Sequence, residues 1–124
     1  MDNKVAEKYK RLRKMDYEAI LSRKLRSLFP DKGNREHAKA ILDTYGLEDY
    51  EREPVRVRLA VLKLSGSDVQ EIKRSIETAR QDYRDVLAWA EYPRQSKHWN
   101  MPDSPAKQRL IEADRDEYEK WLGT

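Results

Sequence analysis

No cysteine occurs among the 124 residues, which excludes disulfides, thiolate metal ligands and cysteine nucleophiles. Histidine is scarce as well: His37 and His98 are the only two, and they alone carry side chains that titrate near neutral pH in their ordinary state. The four glycines stand singly, so there is no glycine-rich loop to cradle a phosphate, and no G-x-S-x-G, H-E-x-x-H or EF-hand pattern is present. Long apolar runs are missing: Leu59-Ala60-Val61-Leu62 falls far short of the ~20 residues that cross a bilayer. The first twenty residues hold lysines and arginines but no apolar core of a secretion signal. These absences predict a chain that is neither secreted nor membrane-embedded and that resides in the cytoplasm. They also predict no cofactor, no metal site and no small-molecule substrate.

Charge is what the sequence has in abundance. Charged residues make up 40% and hydrophobic ones 38%, against ~25% charged in an ordinary domain. Such a surplus suits small helical proteins, whose helices each turn a wide face to water. The net charge is +3, and residues 1–30 hold nine lysines and arginines against four acids. The basic excess therefore belongs to the first segment, where "KYKRLRK" places Lys8, Lys10, Arg11, Arg13 and Lys14 around Tyr9 and Leu12. Cations in this density can neutralise nucleic-acid phosphates, the main sequence-independent source of such affinity. A solvated basic segment explains the same letters and is the preferred reading.

Apolar residues recur at helical spacing through most of the chain, which sets aside the disorder that a mean hydropathy of −1.05 would otherwise suggest. Asp16 begins a helix carrying Ile20, Leu21, Leu25 and Leu28, and Phe29-Pro30 ends it. Val5, Tyr9 and Leu12 upstream belong either to a separate first helix or to an extension of this one. Asn34 is placed to cap a helix bearing Ala38, Ile41, Leu42 and Tyr45, with Gly46 as its left-handed stop. "PVRVRLAVLKL", Pro54 to Leu64, alternates as a strand would, but no second strand-like run exists to pair with it. As a helix it is apolar on two sides, the mark of a central element in a bundle.

Val69, Ile72, Ile76, Ala79, Tyr83, Val86 and Ala90 then step by three and four. That heptad seam predicts one continuous helix to Glu91, opened by a Ser67/Gln70 capping box and stopped by Pro93. "RQSKHWNMPDSP" reads as a loop, and Ser104 with Pro105 starts a last helix. The expected architecture is all-α: one domain over residues 1–124, a single compact bundle of four or five helices, with residues 1–14 a basic, frayed segment. Seven seam positions beside a doubly apolar helix exceed what one short contact needs, so part of the seam is a candidate homodimer face, although packing within the chain is the preferred reading.

The richest stretch is "DYRDVLAWAEYPR", Asp82 to Arg94. Its aromatics are expected to close one end of the bundle, since aromatic stripes on helices are core more often than site. The functional reading places Trp89, Tyr92, His98 and Trp99 around a cleft where helix meets loop, with Asp82, Asp85 and Glu91 as its carboxylates. Asp82 and Asp85 are three apart and share a face, as a metal pair needs, yet Arg80 and Arg84 are equally close and ion pairing accounts for them. A di-iron bundle would bring Glu-x-x-His pairs from two helices, and none exists here. Catalysis would require a pocket that gathers His98, Trp99 and a carboxylate.

Residues Val57 to Arg94, and "DYRDVLAWAEYP" most distinctively, resemble a family of small, uncharacterised bacterial helical proteins. The resemblance implies a bacterial cytoplasmic origin and carries no activity or site residue to transfer. The functional expectation is a non-enzymatic protein–protein interaction or self-associating module, using Trp89, Tyr92, His98 and Trp99. The alternative is a nucleic-acid-associated protein using Lys8, Lys10, Arg11, Arg13 and Lys14.

Overall fold

The computed structural model describes residues 16–124, and these form seven helices with no strand among them. The helices are α1 (Tyr17–Leu28), α2 (Lys32–Leu42), α3 (Pro54–Ser65), α4 (Val69–Gln81), α5 (Tyr83–Glu91), α6 (Pro93–Lys97) and α7 (Pro105–Gly123). The all-α expectation holds, and the count exceeds five because one expected helix is two and one expected loop contains another.

The ambiguous stretch from Pro54 is the central helix. In α3, Val57, Leu59, Ala60, Val61 and Leu62 are all buried, and the helix packs against α1, α4 and α5. Pro54 occupies its first turn and Gly66 ends it in left-handed geometry at φ 56°, as a residue without a β-carbon allows. Before α3 the chain makes a tight approach: a β-carbon on Gly46, at φ +101°, would lie 2.6 Å from Pro54 Cβ. Only glycine fits there. The polar connector is pinned by the Glu51 carboxylate, which accepts from the Gly46 and Glu48 amides at 3.0 and 3.1 Å. Tyr45 adds a bond from its hydroxyl to the Arg52 carbonyl at 2.9 Å.

The continuous helix from Val69 to Ala90 is not formed. Asp82 is extended at φ −157°; its amide closes α4 by donating to the Thr78 carbonyl, while its carboxylate accepts from the Arg84 amide and opens α5. The seam survives the break, because Ile72, Ile76, Ala79, Val86 and Ala90 all reach the core. They are covered by the chain itself rather than left for a second copy. Two caps also differ from expectation. Asp31, not Asn34, starts α2, with Asn34 inside the helix as the amide donor. Asp68, not Ser67, starts α4, and Ser67 takes a left-handed φ of 68°. In each pair a carboxylate stands beside a neutral capping residue, and the stronger acceptor sits at the helix's positive end.

The first part of the expected loop is helical, while residues 98–104 are turn and irregular chain as expected. Pro93 ends α5 but also opens α6, since its fixed φ suits a first turn as well as it breaks an interior. No local side chain caps this five-residue helix. Its cap comes from α7: buried Asp114 accepts from the Arg94 amide at 3.1 Å and the Gln95 amide at 3.0 Å. Arg94 Nη1 and Gln95 Nε2 complete the shell at 3.0 and 3.2 Å. The expected start of α7 is confirmed, with the Ser104 hydroxyl accepting from the Lys107 amide. Among the described residues no helix is long and apolar enough to cross a membrane.

Candidate functional site

The α5 face pointing away from α3 carries Asp85, Ala88, Trp89 and Tyr92, spaced as one side of a helix. The α6 segment supplies Gln95, Ser96, His98 and Trp99, and the first turns of α7 add Lys107 and Leu110. Together they enclose an open groove of about 440 Å³, within the ~300–1,000 Å³ range of small-ligand and side-chain sites. All four residues expected from sequence, Trp89, Tyr92, His98 and Trp99, line it.

These aromatics do not simply close the bundle, as the structural reading expected. Trp89 is 49% exposed and Trp99 is 81% exposed. The reason is geometric: α3 is covered by Val86, Leu87 and Ala90, which leaves Trp89 on the outer side of α5. Trp99 lies in the turn beyond α6, held outward by the helix that Asp114 caps.

Of the three carboxylates expected around the cleft, one is there. Asp85 lines the groove; its amide donates to the Asp82 carbonyl at 3.3 Å, and its carboxylate acts on Arg84 through space but makes no hydrogen bond or salt bridge among the described residues. Asp82 is used as a cap and is also bound by Arg84, Nε to Oδ1 at 3.0 Å; this pair holds the Asp82 carboxyl below its ordinary pKa, the Arg84 side chain first and its amide second. Glu91 faces a different cleft, of about 730 Å³, and there takes both ends of the Arg56 guanidinium at 2.8 and 2.6 Å. That pair raises the Arg56 pKa and closes the larger cleft's charges on one another. Asp82 and Asp85 thus do not act as a pair, and among the described residues there is no group of three or more histidines and carboxylates that could hold an ion.

The groove does gather His98, Trp99 and a carboxylate. No side-chain hydrogen bond joins His98 to any residue among those described, so the contact that orients a general base is not formed. Ser96 contributes a different oddity: its Oγ is buried with no hydrogen-bond partner among the described residues. Lys107, missed in the sequence, pairs with Asp103 at 3.2 Å. No local pattern pointed to it, because α7 brings it from outside the aromatic stretch. Lys8, Lys10, Arg11, Arg13 and Lys14 lie outside the described residues, as does the whole basic segment.

His37 is exposed on α2, as its position off the apolar stripe implied. No family model, no curated protein and no solved structure matches the chain. The site is accordingly read from its own chemistry.

Proposed function

We propose that this chain is a non-enzymatic interaction module that holds a short segment of a protein partner in the groove between α5, α6 and the start of α7. The observation that carries the reading is the pair of uncovered indoles, Trp89 at 49% and Trp99 at 81% exposure, on the rim of one concavity. Large apolar side chains left in water are the informative exception on a folded surface. Tryptophan and tyrosine are also the side chains that most often carry binding energy when an interface covers them.

Binding is favoured over chemistry by what surrounds His98. A histidine and a carboxylate whose side chains make no hydrogen bond among the described residues lack the linked contacts that prepare a nucleophile or base. An open groove in which aromatic rings stand among polar side chains is suited to receive one or two side chains of an extended peptide.

A peptide display selection against the full chain tests this. Enriched peptides are expected to lose about tenfold or more in affinity for a Trp89→Ala, Trp99→Ala chain, with circular dichroism unchanged. Peptides that bind both chains equally, or a selection that enriches none, would overturn the reading. Should the partner be a second copy, light scattering would report a dimer that the same double variant dissolves.

A further inference from the structure

We infer that the segment held in the groove anchors itself with a positively charged side chain, an arginine guanidinium or lysine ammonium, placed against the faces of Trp89 and Trp99 with Asp85 as its counter-charge. This rests on the groove being the binding site, and adds what the site selects.

The first support is the state of the rings. Two rings of α7 show what engagement looks like in this molecule: Lys24 Nζ stands 4.4 Å over the Trp121 ring, Lys63 Nζ lies 5.8 Å from Tyr118, and Tyr118 stacks on Trp121 at 5.7 Å. Trp89, Tyr92 and Trp99 make no ring or cation contact among the described residues. Their electron-rich faces are open, and a cation within ~6 Å of such a face is attracted by the ring quadrupole.

Charge supplies the second support. Asp85 sits one helical turn before Trp89 on the same side of α5, so its carboxylate and the indole address one position. Its nearest cation in sequence, Arg84, is bound to Asp82 through Nε and Nη2 at 3.0 and 3.1 Å. The groove's own lysine, Lys107, is matched by Asp103. Residues 65–124, which build the groove, hold ten lysines and arginines against twelve acids. Asp85 feels Arg84 only through space, so an anionic guest would meet a carboxylate that holds no salt bridge among the described residues, whereas a cationic one is complementary to it.

The test uses the full chain labelled with ¹⁵N and the capped tripeptide acetyl-Gly-Arg-Gly-amide, with the citrulline tripeptide as its neutral, near-isosteric control. The indole N–H signals of Trp89 and Trp99 are expected to shift saturably with the arginine and lysine peptides and only weakly with citrulline. Asp85→Asn, an exposed change on a helix face, is expected to weaken arginine binding about two- to fivefold and to leave citrulline unaffected. Shifts no larger for arginine than for citrulline overturn the inference. They leave the groove itself standing wherever the selected peptides still need Trp89 and Trp99. Peptides that bind without those tryptophans remove the groove, and that outcome is read separately.

Discussion

Asp114 and Arg94 are joined twice, by the Arg94 amide at 3.1 Å and by its guanidinium at 3.0 Å, across twenty positions of chain. The bond makes α7 the cap of α6 and so fixes where Trp99 stands. Asp114 is 1% exposed, and removing it strands the Arg94 and Gln95 amides with no replacement acceptor. Asp114→Ala is expected to cost about 2–3 kcal/mol in urea unfolding. It is also expected to weaken groove peptides, because α6 loses its start. A variant as stable as the parent would mean that the carboxylate caps nothing.

Glu51 provides a second measurement, on the acid side. Burial works against its charge, but the Glu48 and Gly46 amides, the Arg80 guanidinium and the Leu47 amide outweigh that penalty and hold its pKa below the ordinary 4.5. A carboxyl whose pKa is depressed by folding contributes stability above its unfolded value and loses it as pH falls through the folded one. Glu51→Gln is therefore expected to be about 1–3 kcal/mol less stable than the parent at neutral pH. Below pH 4.5 the two curves should converge, and a gap that stays constant into acid would contradict the assignment.

Lys24 gives a slope of the same sign at the alkaline end of the scale. It is 3% exposed on α1, and its partners among the described residues are the Thr124 hydroxyl at 3.1 Å and the Trp121 ring. Burial first, and neighbouring Arg23 second, lower its pKa from 10.5. Between the lowered value and 10.5 the unfolded chain binds the extra proton, so stability attributable to this group rises with pH. Denaturation of the parent and of Lys24→Met at stepped pH from 8 to 10.5 should show the difference moving in the parent's favour. Groups that titrate in both chains cancel in that comparison. A flat or reversed difference would show that the amine is not desolvated.

Much of this architecture was legible locally. Asp16 and Ser104 open helices through their side chains, and Pro54 and Gly66 bound α3 through their backbone preferences. Gly46 is left-handed as expected, but α2 ends before it, at Leu42 with Asp43 as its cap. The buried stripe was legible too, since a 3.6-residue period records which side faces the core. It does not record whether the backbone is continuous. That is why the step from Ala79 to Tyr83 to Val86 concealed the break at Asp82, which keeps the phase of the seam while turning the axis. The helix α6 was illegible for another reason: its cap lies on Asp114, in a different element. The groove was half visible. Its aromatics share one short stretch, while Lys107 and Leu110 arrive only once α7 has folded back.

The turn at Asp82 separates two kinds of freedom. The inward residues on either side of it, from Ile72 to Ala90, are constrained by one shared interior, whereas Asp85, Trp89 and Trp99 answer, on the function proposed above, to the docked segment. A descendant could therefore exchange its guest by rewriting those three positions and keep the same bundle. Distant relatives would then be traced more surely by the spacing of two aspartates, Asp82 at the bend and Asp114 under α6, than by the aromatic stretch that first catches the eye.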